Sequence, residues 1–124
     1  MVADTSNRKL SAQEIGVYAV NAGFEGDGLI TAVAIALAES GGETGAYNPE
    51  LQAGTPVGQG SYGLWQIYLK AHPEFSSWDL YDPQSNANAA FKVSRNGSTF
   101  EPWSTYNSDA YLKYMDRATA EVSV

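Results

Sequence analysis

With 124 residues, 44% of them hydrophobic and 17% charged, the chain suits one domain with one core. Its net charge of −7 excludes the basic footprint of a nucleic-acid binder and the polybasic patch of an anionic-membrane binder. The absence of cysteine and a single histidine, His72, exclude disulfides, thiol nucleophiles, thiolate metal sites and a multi-histidine zinc site.

Residues 1 to about 10 read as a loose, flexible polar tail with no apolar run, so no signal peptide is expected as written. Residues 11 to 124 read as one domain. Ser11-Ala12-Gln13-Glu14 is a capping box. It predicts a helix with Ile15, Tyr18, Ala19 and Ala22 on one face, stopping at Gly23. After a turn, Leu29 to Ala38 carry one polar side chain, Thr31, and run into Glu39-Ser40-Gly41-Gly42. A helix apolar on nearly every side is a buried one. Asp27 is its expected N-cap, and Gly41 or Gly42 its stop. Residues 42 to 60 read as a long Gly/Pro loop, with at most a short β-hairpin within 50 to 60. Ser61 to Lys70 is expected as a short helix presenting Leu64, Trp65, Tyr68 and Leu69, broken at His72-Pro73. Asp82-Pro83 pairs an N-cap with proline at the first helical position, and predicts a helix to about Arg95. Phe100 to Asn107 reads as an aromatic loop, and Ser108 as the cap of a last helix through Met115. The expected fold is mainly α, a small helical domain around one buried helix. No run reaches the ~20 apolar residues that span a bilayer, so no membrane insertion is expected.

The chemistry gathers at Glu39. An apolar setting and the negative end of a helix dipole both push a carboxyl's pKa upward. A Glu that keeps its proton near neutral pH can donate it, as glycosidic cleavage requires. Read alone, Glu39 is more often a solvated carboxylate in a last helical turn. Other signals are weaker. Gly58-Gln59-Gly60-Ser61-Tyr62-Gly63 matches G-x-G-x-x-G, but Gly54-Thr55-Pro56-Val57 before it cannot form the strand that a dinucleotide site needs. His72 has no G-x-S-x-G nucleophile to serve. Asp79, Asp82 and Glu101 lack EF-hand spacing. No metal and no cofactor are expected.

Five pieces follow in order: Glu39-Ser40, then Tyr47-Asn48-Pro49, then Gly63-Leu64-Trp65-Gln66-Ile67, then Leu80-Tyr81-Asp82-Pro83 with Asn86, then Thr105-Tyr106-Asn107. This series resembles the lysozyme-like superfamily, in particular soluble lytic transglycosylase and goose-type lysozyme domains, as in phage lysins and tail-associated lysozymes. The resemblance implies an α+β lysozyme-like fold and cleavage of the β-1,4 bond between N-acetylmuramic acid and N-acetylglucosamine. It casts Glu39 as catalytic acid/base and Tyr106 as the tyrosine that hydrogen-bonds it. It places Ser40, Gln66, Trp65, Tyr62 and Asn107 with the substrate; Trp103 has no match in the family pattern and is expected near the groove.

The residues leave the outcome open. A hydrolase needs a second carboxylate, for which Glu43, Asp79 and Glu101 are the candidates. In a transglycosylase the same Glu acts again as base and leaves a 1,6-anhydromuramic end. A catalytically inactive glycan-binding module, a virion structural component and a chitin-cleaving enzyme are the alternatives. The acidity, which gives no attraction to an anionic wall, suggests a monomeric domain of a larger phage lysin or tail protein, delivered to the bacterial cell wall by the phage or virion.

Overall fold

The computed structural model describes residues 7–122. Two helices open the fold. α1 (Ala12–Ala22) begins at the expected capping box: the Ser11 hydroxyl accepts from the Glu14 N–H at 3.1 Å, and the Glu14 carboxylate accepts from the Ser11 N–H at 2.9 Å. α2 (Gly26–Ser40) is the central helix. Every residue from Ala32 to Leu37 is buried, because α1, the C-terminal segment and the Trp65 indole surround it. α2 ends at Gly41, whose left-handed φ of 66° suits glycine. Its N-cap position is Glu25, with no side-chain cap. Asp27 is the second residue of the helix, where its charge meets the positive end of the dipole.

A small antiparallel sheet follows. β1 (Tyr47–Asn48), β2 (Ser61–Tyr62) and β3 (Ile67–Tyr68) lie in that order. Tyr47 faces Tyr62, and Tyr62 in turn faces Ile67. Between β1 and β2 the only regular structure is a 3-10 turn at Leu51–Ala53, not a hairpin. Residues 61 to 70 are therefore two strands and a tight turn, not the expected helix. Gly63 takes φ 74° and Gln66 φ 48°, which no helix admits. The Trp65 N–H, which a helix would direct to its own carbonyls, is taken by the Asn86 side chain at 2.8 Å.

α3 (Pro83–Val93) starts at Asp82, whose carboxylate accepts from the Ser85 N–H at 2.9 Å. It ends two residues earlier than the sequence suggests. Arg95, Asn96 and Gly97 all take positive φ and unwind the last turn. The stretch expected as an aromatic loop contains a single helical turn, α4 (Ser104–Asn107). The chain does not continue as one helix from Ser108. Asp109 at φ 65° interrupts it, a 3-10 turn spans Ala110–Tyr114, and α5 (Met115–Glu121) closes the described chain.

Two buried indoles tie these parts together. Trp65 Nε1 donates to the Ala32 carbonyl in the middle of α2 at 2.9 Å, and Trp103 Nε1 donates to the Trp65 carbonyl at 2.8 Å. The small Ala32 side chain lets the indole reach the helix backbone. Residues 1–6 of the expected tail lie outside the described residues. Residues 7–10 belong to the fold: Leu10 is buried, its N–H donates to the Gly42 carbonyl at 2.9 Å, the Thr44 N–H donates to the Arg8 carbonyl at 2.9 Å, and the Arg8 N–H donates to the Thr44 hydroxyl at 3.0 Å. An apolar leucine at the end of a polar stretch is the reason. The loop directly after Glu39 is thereby clamped.

Candidate active site

Glu39 lies in the last turn of α2, where the buried helix comes to the surface, and is itself half-buried. Its Oε2 accepts a hydrogen bond from the Thr105 hydroxyl on α4 at 2.8 Å. Burial raises its pKa above the ordinary carboxylate value; the Thr105 hydroxyl and backbone N–H draw it partly back, and the charge of Glu50 pushes it up again. Glu39 is thus an acid biased to keep its proton, held in place by a neutral donor.

Glu50 follows β1 with a left-handed backbone, φ 55° and ψ 46°, uncommon for a residue with a side chain. Its N–H donates to the Asn48 side chain at 3.1 Å, and its Oε2 accepts from the Ser61 hydroxyl of β2 at 2.7 Å. With Asn48, Pro49, Leu51 and Gln52 it lines a surface hollow of about 340 Å³. Above the sheet, three tyrosine rings stand in a row. Tyr47 lies 4.7 Å from Tyr62, and Tyr62 lies 5.3 Å from Tyr81. Tyr47 is exposed, so the row presents an aromatic face to solvent. Among the described residues, no group of three or more His, Asp or Glu is placed to hold a metal ion.

The family model for a lysozyme-like domain matches residues 17–105, most of the chain and all of the segment from Glu39 to Thr105. The chain belongs to the lysozyme-like domain family. No curated protein and no solved structure matches it. The mainly α fold with a small sheet is in accord with that membership.

Within this lysozyme-like domain the residues singled out from the sequence fall into three sets. Glu39 and Tyr62 stand at the surface of the site region. Tyr106 and Asn107 share α4 with Thr105, but they lie just past the matched segment and make no hydrogen bond to Glu39. The Tyr106 ring packs on Tyr111 at 5.0 Å and Phe100 at 5.8 Å, and the Asn107 side chain donates to the Glu101 carbonyl at 2.8 Å. The hydroxyl on Glu39 comes instead from Thr105, one residue earlier, because the α4 turn directs that side chain back to α2.

Ser40, Trp65, Trp103 and Gln66 serve the framework. Ser40 is buried: its hydroxyl donates to the Ala36 carbonyl at 2.9 Å and accepts from the Gly42 N–H at 3.2 Å, closing the end of α2. Trp65 and Trp103 are 1% and 5% exposed, so neither offers a ring face to a ligand. The Gln66 side chain donates to the Ala46 and Gly63 carbonyls at 3.2 and 3.0 Å, bracing the β2–β3 turn against β1.

Sequence reasoning passed over Thr105 and Glu50. Thr105 sat inside a quoted motif, beside the tyrosine that drew attention. Glu50 carried one signal, a lone carboxylate directly after Asn48-Pro49 in a loop long enough to be functional.

Proposed function

We propose that this domain cleaves the β-1,4 bond between N-acetylmuramic acid and N-acetylglucosamine in peptidoglycan, with Glu39 as the proton donor. One observation carries the reading: a half-buried carboxyl at the open end of the central helix, raised in pKa by burial and fixed by Thr105. Membership of the lysozyme-like family supports peptidoglycan strands as the substrate class.

The geometry supports the following step. Glu39 in its protonated form gives its proton to the glycosidic oxygen, and positive charge develops at the sugar's anomeric carbon. The carboxylate left behind keeps the Thr105 hydrogen bond, which is stronger to the charged form. Burial holds the proton beforehand, and Thr105 steadies the anion afterwards. The exposed face of the Tyr47–Tyr62–Tyr81 row is suited to packing against a neutral sugar ring. At a net charge of −7 the domain gains no attraction to an anionic wall. That favours delivery to the wall as part of a phage lysin or tail protein.

Mass spectrometry of purified peptidoglycan digested by wild type and by Glu39→Gln tests the reading. Glycan fragments from wild type and none from Glu39→Gln are expected. Anhydromuramic ends would mark a lytic transglycosylase, and reducing ends a hydrolase. Intact strands from both proteins would overturn the proposal and leave a glycan-binding or virion structural role.

A further inference from the structure

We infer that the hollow beside β1 is a binding site for a primary ammonium group, the free end of a lysine-type side chain in the peptide stem of the wall polymer. The inference rests on the reading of peptidoglycan as substrate for its choice of polymer, and asks nothing of Glu39.

Three carboxylates of the described chain are half-buried: Glu39, Glu50 and Glu121. Glu39 holds the Thr105 hydroxyl, and Glu121 pairs with Arg117 at 3.3 Å. Glu50 has the Ser61 hydroxyl alone, at 2.7 Å on Oε2. Among the described residues its Oε1 accepts no hydrogen bond, and no Lys, Arg or His forms an ion pair with it. A carboxylate offers about four lone-pair positions. Partial burial takes water away from an anion, and a cation or further donors must make good that loss.

The walls of the hollow select the kind of cation. It holds about 340 Å³ and is lined by Asn48, Pro49, Glu50, Leu51 and Gln52, none of them cationic. A bare metal ion is poorly served there: Glu50 is the one carboxylate of the lining, and among the described residues no group of three His, Asp or Glu gathers. An ammonium group needs one anion and a few neutral acceptors, which the site supplies. Leu51, 75% exposed, and the exposed Pro49 offer apolar surface for the methylenes of a lysine side chain. The amides of Asn48 and Gln52 are exposed and suited to the peptide groups of a stem. The Asn48 oxygen already accepts from the Glu50 N–H at 3.1 Å, so its NH2 faces outward duties. An amine on glucosamine, by contrast, sits directly on the sugar ring and brings no aliphatic chain for Leu51 and Pro49 to cover. The site is also preformed, because Asn48 and Ser61 are paired across β1 and β2 and hold Glu50 from both sides.

The probe is muramyl tripeptide: N-acetylmuramic acid carrying alanine, isoglutamine and lysine, with its terminal carboxyl amidated. It contains no glycosidic bond, so binding is read apart from cleavage. Titration of the full ¹⁵N-labelled chain should shift the amides of residues 48–52 and 61. Acetylation of the lysine Nε and Glu50→Gln should each weaken binding at least about fivefold, and added salt should weaken it in wild type. Glutamine accepts from Ser61 as glutamate does, so the Glu50→Gln melting temperature should match wild type. Equal affinity for the acetylated probe, equal affinity in Glu50→Gln, or shifts confined to other segments would overturn the inference. So would tighter binding of a glucosamine trimer than of the tripeptide, which would assign the ammonium to the glycan chain. The two readings fail separately: the products of strand digestion decide the glycosidase, and a probe that cannot be cleaved decides this site.

Discussion

Asn86 → Leu is the sharpest test of how the site's floor is held. Asn86 is fully buried at the start of α3, and its side chain joins three separate segments. It accepts from the Trp65 N–H at 2.8 Å and donates to the Tyr62 carbonyl at 2.7 Å and the Leu80 carbonyl at 2.8 Å. Leucine at this position satisfies none of them. A buried polar group left without a partner costs about 1–3 kcal/mol. Three groups, with some relaxation, give about 3–6 kcal/mol, a large part of the ~5–15 kcal/mol that holds such a domain together. The melting temperature should fall by roughly 10–25 °C. Urea unfolding followed by circular dichroism measures this directly, as a lower midpoint at unchanged slope. A loss below about 1 kcal/mol would mean that water reaches these groups, and that Asn86 does not join the hairpin to α3.

Gly63→Ala should be comparably harmful at the same joint. The added Cβ would collide with the Asn86 side-chain amide and the Leu80 carbonyl, and φ is 74°; strain and overpacking together predict a loss of at least about 2 kcal/mol in the same unfolding assay. Glu39 governs two pH effects of opposite use. As an acid with a raised pKa it stays active above the ordinary glutamate value of 4.5 and loses activity as pH rises through the raised one, a limb that a pH–rate profile should display. The folded state also binds that proton more tightly than the unfolded chain, so the stability it contributes is complete below 4.5 and declines as pH rises through the raised value. Glu39→Gln should abolish that decline, which parallel melts of both proteins across this range would reveal.

Local chemistry made much of the fold legible. The Ser11–Glu14 box, the apolar run ending at Gly41 and the Asp82-Pro83 start each depend on neighbours in sequence, and each appears where the residues indicate. Glu39 was legible for the same reason, since a buried helix must end somewhere and its last charged residue marks the place. The hairpin at 61–68 was not. Its Leu64-Trp65 pair fits a helix face, and what decides against a helix is Gly63 together with a side chain on α3. Thr105 and Glu50 were hidden in the same way, because a contact across 66 positions leaves no periodic trace. Asn86 shows the converse: the motif drew attention to it correctly, while its work is to hold backbone rather than substrate.

The paired indoles have an optical consequence. Trp65 and Trp103 are buried and each donates its N–H to a backbone carbonyl, while the third, Trp78, is half-buried against Phe75 at 4.8 Å. Indole emission moves to longer wavelength when water reaches the ring. The two core tryptophans sit in series, from α2 through the hairpin to the residue that precedes α4, and Thr105 extends that line to Glu39. A motion that draws Trp103 and α4 together away from the hairpin parts the Trp103–Trp65 bond as well. The domain therefore carries its own fluorophore across the gap it would open, and an unlabelled sample can report that opening in its emission spectrum.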